Sequence, residues 1–427
     1  MSAAAEPAPA VAAAIGELIG RFDPDAMDVP RGSARIRLEV VGGEDVDVVV
    51  DPPEAWIEPA AGDADARLIA DGRTWEAIAN DVAGGMDAFR RGRLRVRDDL
   101  HLGVGLLAAT SGGGAGRLRF GRIEAGGHEI AYCEAGQGPP LVCLHGLGGT
   151  KASFLPTLAA LASRGRRVIA IDLPGFGDSS KPHAAAYDAP WFAAAVTDLL
   201  DALELERADV AGNSMGGRIA IELGMSAADR VGRLVLLAPA LAWLRERPWK
   251  WVLQAPLPRL GYLQPTPRRL VDPIVRRLVP GGDRGWTAAG VDEFLRAYLT
   301  PAGRYAFYEC LRNIYRDEPY GAQGFWTRLK RLEPPALFVW GREDVLVPIS
   351  FMRHVERALP VAAHLELDCG HVPQLERPER LHEAVAEFLA PGGEGESRRG
   401  GRESGRREEG EGLRADSPRA ARARERG

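Results

Sequence analysis

The spacing of apolar positions changes period several times along this 427-residue chain, and each change marks an element. Residues 11–22 carry apolar side chains at helical spacing and predict an opening helix. The period then drops to two: Ala34-Arg35-Ile36-Arg37-Leu38-Glu39-Val40 alternates as a half-buried strand does, and 45–50 repeats the alternation across Gly42-Gly43. Residues 55–57 and 66–70 predict further strands, and a meander is the simplest way to join them. Thr74 is expected to cap a short helix over 75–79, 92–97 alternates again, and 100–109 predicts an apolar helix.

Beyond residue 118 the pattern becomes one of short apolar runs that read as strands. These are 140–144, 168–171, 207–212, 233–237 and 336–340, followed by an alternating run at 364–367. Several end in loops rich in glycine, histidine, serine or aspartate, and the candidate chemistry lies there. Gly212-Asn213-Ser214-Met215-Gly216 follows one run and precedes Gly217 to Leu223, which has helical spacing. Small residues around Ser214 suit a sharp strand-to-helix turn, with the hydroxyl clear of the sheet and a helix N-terminus behind it. With 51 glycines in the chain, G-x-S-x-G alone is weak, so its partners matter.

A serine hydroxyl needs a base, and the base needs a carboxylate to orient it. Asp344, in Gly341-Arg342-Glu343-Asp344, and His371, in Cys369-Gly370-His371-Val372-Pro373, each follow a predicted strand and could fill those roles, with Glu343 a rival to Asp344. His145-Gly146-Leu147-Gly148-Gly149 follows 140–144 and has the character of an oxyanion loop, where His145 is expected to shape the turn. Asp172 and Asp178, in the loop after 168–171, read as turn residues.

Together these segments, from about residue 123 to 389, resemble the α/β-hydrolase family, whose catalytic residues occur in the order Ser, Asp, His. The resemblance implies an α/β fold with a mostly parallel sheet and a helical lid. It also implies Ser214 as nucleophile, Asp344 as acid, His371 as base, and the amides of Leu147 and Met215 as oxyanion donors. The expected reaction is acyl-enzyme hydrolysis of an ester, thioester or related carbonyl in a small apolar or lipid-like substrate. Gly212 to Gly217 is also similar to the elbow of ring-cleavage-product hydrolases, which break carbon–carbon bonds, although Gly148-Gly149-Thr150 lacks the proline-containing glycine run of many of those enzymes. A non-catalytic lipid-binding protein is a third reading.

The N-terminal order of helix, strands, short helix, strand and helix resembles a small α+β sterol-carrier-type lipid-binding domain. Its most recognisable piece is Gly92-Arg93-Leu94-Arg95-Val96-Arg97-Asp98-Asp99, where Arg97 and Asp98 precede Asp99 in place of the family's usual Gly. The resemblance implies either a cradle for a lipid ligand or a retained scaffold. The expected organisation is this domain at 1–110, a glycine-rich linker at 111–117, the hydrolase at 118–390 with its lid at about 241–332, and a disordered tail at 391–427.

Composition refines the picture. The lid region holds Trp243, Trp249, Trp251, Trp286 and Trp326, which suit either an apolar substrate or a small helical core, while Arg245, Arg247, Arg268 and Arg269 read as a solvated face. The tail has too few apolar residues to offset the entropy of ordering. Its arginines are balanced by glutamates and no aromatic interleaves, and the net charge is −5, so no nucleic-acid partner is expected. The cysteines, Cys133, Cys143, Cys310 and Cys369, lack metal-ligand spacing and read as free buried thiols, and neither metal nor cofactor is expected. No signal peptide or membrane-length apolar run is visible, which predicts a cytoplasmic protein without a transmembrane segment. The pattern carries no signal for oligomeric state.

Overall fold

The computed structural model describes residues 9–80, 88–89, 91–112, 116–241, 273, 284–313 and 317–392. Residues 113–115 of the expected linker and 393–427 of the expected tail lie outside them. So do Trp243, Trp249, Trp251, Arg245, Arg247, Arg268, Arg269 and the side chain of Trp286.

In the N-terminal part, α1 (Pro9–Ile19) precedes β1 (Ala34–Val41), β2 (Val46–Asp51), β3 (Glu54–Pro59) and β4 (Ala66–Asp71). Then come α2 (Gly72–Ala79), β5 (Arg95–Arg97) and α3 (Leu100–Ala109). The sheet order is β3-β2-β1-β4-β5, and β4 pairs with β1 in parallel, so the expected meander holds only for the first three strands. The loop after β3 crosses back over two strands because Asp47, fully buried, accepts the Ala61 amide at 3.0 Å and bonds Arg37 Nε at 2.8 Å. Asp65 then exchanges backbone and side-chain bonds with Arg35 and starts β4 on the far side. Alternation reports which face is buried but not which strand becomes the neighbour.

Two other local expectations shift. The cap of α2 is Asp71, whose Oδ1 accepts the Thr74 amide at 2.8 Å, so Thr74 sits inside the helix. The strand expected over 92–97 shortens to β5, since Gly92 has φ +70° and the Arg93 and Leu94 amides both bond Ala88 O in a turn. Asp98 adopts φ +69°, the left-handed region that glycine favours, and Arg67 Nε bonds its carboxylate at 2.6 Å.

The second sheet has the order β13-β12-β11-β10-β8-β9-β7-β6. It comprises β6 (Arg119–Ala125), β7 (His128–Ala135), β8 (Pro140–Leu144), β9 (Arg167–Ile171), β10 (Ala208–Asn213), β11 (Val231–Leu237), β12 (Ala336–Gly341) and β13 (Ala363–Leu367). β7 alone runs antiparallel to the rest of this sheet. The inner strands are buried along almost their whole length, as parallel strands covered by helices on both faces must be. Those helices are α4 (Leu155–Ala162), α5 (Ala189–Ala202), α6 (Met215–Ser226), α10 (Met352–Ala358) and α11 (Pro378–Leu389). Between β11 and β12 the described residues form α7 (Arg284–Tyr298), α8 (Pro301–Asn313) and α9 (Phe325–Leu329).

All ten residues of α3 are buried, and one apolar cluster runs from Ile36 and Leu68 through Val104 and Leu107 to Phe120, Leu141 and Leu161. Burying a Leu or Val side chain stabilises by about 1.5–3 kcal/mol, so a helix sandwiched in this way joins the two sheets into one packed body. On either side of 113–115 the chain is held as well: the Asp23 amide bonds Ala109 O, Arg117 pairs with Asp23, and the Gly136 amide bonds Gly116 O. All four cysteines are free and buried, and burial raises their thiol pKa values. No described helix is long and apolar enough to cross a membrane.

Candidate functional site

Parallel strands deliver their loops to one end of a sheet, and the candidate residues gather at the carboxyl ends of β8, β10, β12 and β13. Ser214 stands between β10 and α6 with φ +53° and ψ −111°. That strain is held by two backbone bonds, Ser214 N to Leu237 O at 2.9 Å and Ala240 N to Ser214 O at 2.8 Å. A Cβ at Gly216 would collide with Leu144 O of β8, and one at Gly212 with Gly216 O, so the turn closes only around glycine.

His371 Nδ1 is 2.8 Å from Asp344 Oδ2. Asp344 Oδ1 meanwhile accepts the amides of Leu346 at 2.7 Å and Val347 at 2.9 Å, which fixes the carboxylate plane. Glu343, the rival acid, points to solvent, and its amide bonds Cys369 O. Two side chains not singled out in the sequence hold the histidine loop. Glu376 accepts the amides on either side of His371, Gly370 N at 2.9 Å and Val372 N at 3.0 Å. Asn213 Nδ2 donates to Leu237 O and to His371 O, each at 3.1 Å, tying the serine turn to the histidine loop. The signal for Glu376 was its place five residues after His371, closing the short helical turn that Pro373 opens.

The loop after β8 lies directly on this turn: a Cβ at Gly146 would stand 3.3 Å from Ser214 Cβ. Leu147 is half-buried in this loop, and Met215 is buried at the first position of α6. His145 is fully buried, accepts the Leu173 amide at Nε2 (3.0 Å) and therefore donates from Nδ1 to Gly146 O (2.7 Å). Burial lowers its pKa, so it is a neutral turn-shaping group, as its sequence context suggests.

Next in the loop, Lys151 is buried with its ammonium 2.6 Å from Asp172 and 2.9 Å from Asp178. Burial alone would lower its pKa; the two carboxylates outweigh that and keep it charged. Burial likewise opposes ionisation of Asp178, but Lys151, His101 and Arg296 pull its pKa well below the usual carboxylate range. Asp172 and Asp178 are thus charged anchors as well as turn residues. No sequence spacing marks Lys151, because its partners lie 21 and 27 residues on.

The aromatic wall beside this loop comes from α7 and α8. Phe294 and Phe307 meet at 5.9 Å between ring centroids, and a Cβ at Gly148, itself at φ +73°, would strike Phe294. Tyr298 stacks on Phe294 and its hydroxyl lies 2.9 Å from that of Tyr308. Trp326 instead packs on Phe325 and His354 as core.

The alpha/beta hydrolase fold family profile matches residues 139–378. A 2-hydroxy-6-oxononadienedioate/2-hydroxy-6-oxononatrienedioate hydrolase of Paraburkholderia xenovorans is 31% identical over 294 residues, covering 65% of this chain and 96% of that protein. A 2-hydroxymuconate semialdehyde hydrolase of Pseudomonas putida is 31% identical over 279 residues, covering 63% of this chain and 93% of its own. Among solved structures, a bacterial membrane phospholipase A superposes with a TM-score of 0.54 at 28% identity, covering 64% of this chain and 86% of that one.

Proposed function

Because this chain belongs to the alpha/beta hydrolase fold family and is an enzyme of that type, we propose that it is a serine hydrolase acting on the carbonyl of an apolar substrate through an acyl-enzyme. The observation that carries this reading is the bond between Asp344 and His371, in a loop that Asn213 ties to the strained turn at Ser214. With Nδ1 donating to Asp344, His371 has Nε2 to take the Ser214 Oγ proton as Oγ attacks the carbonyl carbon. The oxyanion is held by the Leu147 amide of the loop after β8 and the Met215 amide at the α6 N-terminus. Collapse expels the alcohol or thiol with the proton from His371, and water then repeats the sequence to release the acid. Phe294 and Phe307 supply the apolar wall that suits an acyl or ring substituent.

Hydrolysis of a carbon–carbon bond in a vinylogous diketone is a second reading, favoured by the names of the relatives above. The same Ser214 serves both, and a short acyl ester assayed beside a dienoate separates them. For the shared core of the two readings, Ser214→Ala should end fluorophosphonate labelling and lower kcat on the better substrate by at least about a thousandfold. Persisting labelling of that variant would sink the proposal.

The N-terminal part we read as a sterol-carrier-type fold acting as a scaffold. Supporting this, a Cβ at Gly103 of α3 would collide with Val96 of β5, so helix and sheet are in close contact there. Extraction of bound lipid from purified protein tests it: a stoichiometric ligand would favour the cradle instead.

A further inference from the structure

Asp99, His101 and Arg97, all at or beside the start of α3, face the hydrolase rather than solvent. His101 Nδ1 lies 3.4 Å from Asp178 and its Nε2 3.1 Å from Asp28, which also binds Arg122 of β6 at 2.9 Å. Arg97 lies 3.6 Å from Asp292 of α7, and Asp99 Oδ2 lies 3.5 Å from Arg296 of the same helix.

Arg296 is where these contacts meet. It grips Asp178 with both terminal nitrogens, at 2.7 and 3.0 Å, and Glu293 with Nε and Nη2, at 3.2 and 2.8 Å. Asp178 in turn is held by Lys151, three residues beyond Gly148. A continuous path of charges therefore runs from the N-terminal domain through α7 to the oxyanion loop. Two residues before Arg296, Phe294 presses on Gly148 itself.

We infer that Arg296 is a positioning residue through which the N-terminal domain holds α7, and with it Phe294, over the oxyanion loop. This rests on the serine-hydrolase reading. Bidentate pairing of Arg296 to Asp178 fixes the translation and rotation of the guanidinium against the loop after β9, Glu293 braces it from its own helix, and Asp99 and His101 close on the same cluster from the N-terminal side. Oxyanion donors work only when held close to the productive geometry, and a displacement of 1 Å can cost about a hundredfold in rate. Asp99 and His101 lie before residue 139, outside the segment that the family profile matches, so this chain supplies the support from an added domain. The N-terminal domain is then part of the catalytic unit.

The test uses the full chain with Arg296→Met and, as a milder variant, Asp99→Asn. The second keeps the α3 cap, because an Asn oxygen can still accept the Leu102 amide that Asp99 Oδ1 accepts at 3.0 Å. Two quantities are read: amide hydrogen exchange across 289–298, and kcat per active site, titrated by fluorophosphonate burst. We expect exchange in that segment to rise at least about tenfold in Arg296→Met and less in Asp99→Asn, with titratable sites unchanged and kcat per site down about tenfold or more. Asp99 has the smaller effect because it meets Arg296 only at 3.5 Å, whereas Arg296 also grips Asp178 and Glu293 at 2.7–3.0 Å. Unchanged exchange in Arg296→Met overturns the inference. So does faster exchange with kcat per site within twofold of wild type. A wild type without a titratable serine defeats the serine-hydrolase reading instead, while the exchange measurement still reports on the clamp.

Discussion

The two halves of the candidate site are built by different means. On the histidine side, Asp344, His371, Glu376 and Asn213 are joined by direct hydrogen bonds of 2.7–3.1 Å, mostly to backbone amides and carbonyls of their own and adjoining loops. On the other side, the proposed oxyanion loop after β8 is anchored by buried ion pairs that reach Asp172, Asp178 and Arg296, and beyond Arg296 Asp99 of the N-terminal part. The first design depends on hydrogen-bond geometry and the second on charge balance, so they should fail differently.

The largest effect is expected on the histidine side. Asp344→Asn keeps an oxygen for the Leu346 and Val347 amides but turns a donor toward His371 Nδ1, forcing the proton onto Nε2, where a base must be bare. A fall in kcat on the order of 10³–10⁴ with nearly unchanged thermal stability is expected. Glu343→Gln, at the exposed neighbour, should stay within about twofold. Equal losses in the two variants would show that Asp344 is not the orienting acid.

On the oxyanion side the expected loss is first of stability. Asp178→Asn leaves Lys151 and Arg296 short of a buried partner, which costs about 3–5 kcal/mol in urea unfolding at neutral pH. The pH dependence has a definite sign. The folded pKa of Asp178 lies well below the unfolded value near 3.8, so its contribution is complete above about pH 5 and is lost as pH falls through the folded pKa. The variant should therefore show a shallower loss of stability in strong acid. A change under about 1 kcal/mol at neutral pH would mean that the cluster adapts and anchors nothing.

This contrast also explains what could be read from the chain. Ser214, Asp344, His371 and the Leu147 loop were legible because each lies in a short motif after an apolar run, and parallel strands bring such loops to one end of a sheet. Lys151 and Arg296 were not, because a buried ion pair needs only two opposite charges that meet in space, and Asp178 and Arg296 are 118 residues apart. The crossover that sets β4 beside β1 was hidden for a similar reason, since it rests on Asp47 of β2 collecting the Ala61 amide from the loop after β3 and two arginines of β1. The tryptophans of the insertion between β11 and β12 stand out in the sequence by their number, whereas the described aromatic wall at the loop after β8 is made of phenylalanine and tyrosine from α7 and α8.

A histidine outside both clusters separates the acid response of the interdomain charges from that of the rest of the molecule. His382 on α11 is buried with Nε2 2.9 Å from Thr157 Oγ1 of α4, and its pKa is lowered from 6.5 to about 4, first by burial and then by the charge of Arg164. The unfolded chain takes up a proton there as pH falls below about 6.5, whereas the folded chain does not until near 4. Stability is thus full above that window and declines through it, by roughly 3 kcal/mol at about 1.4 kcal/mol per unit. The Asp178 contribution starts to be lost only below about pH 5, near the lower end of the His382 window. In His382→Gln the amide can still bond Thr157 but cannot titrate, so the decline of unfolding free energy between pH 6.5 and 5 should become shallower, with His145 and His364 supplying what remains, while the loss below pH 4 persists. An unaltered slope between pH 6.5 and 5 would assign the mild-acid sensitivity to other groups, His145 and His364, whose pKa values burial also lowers, among them.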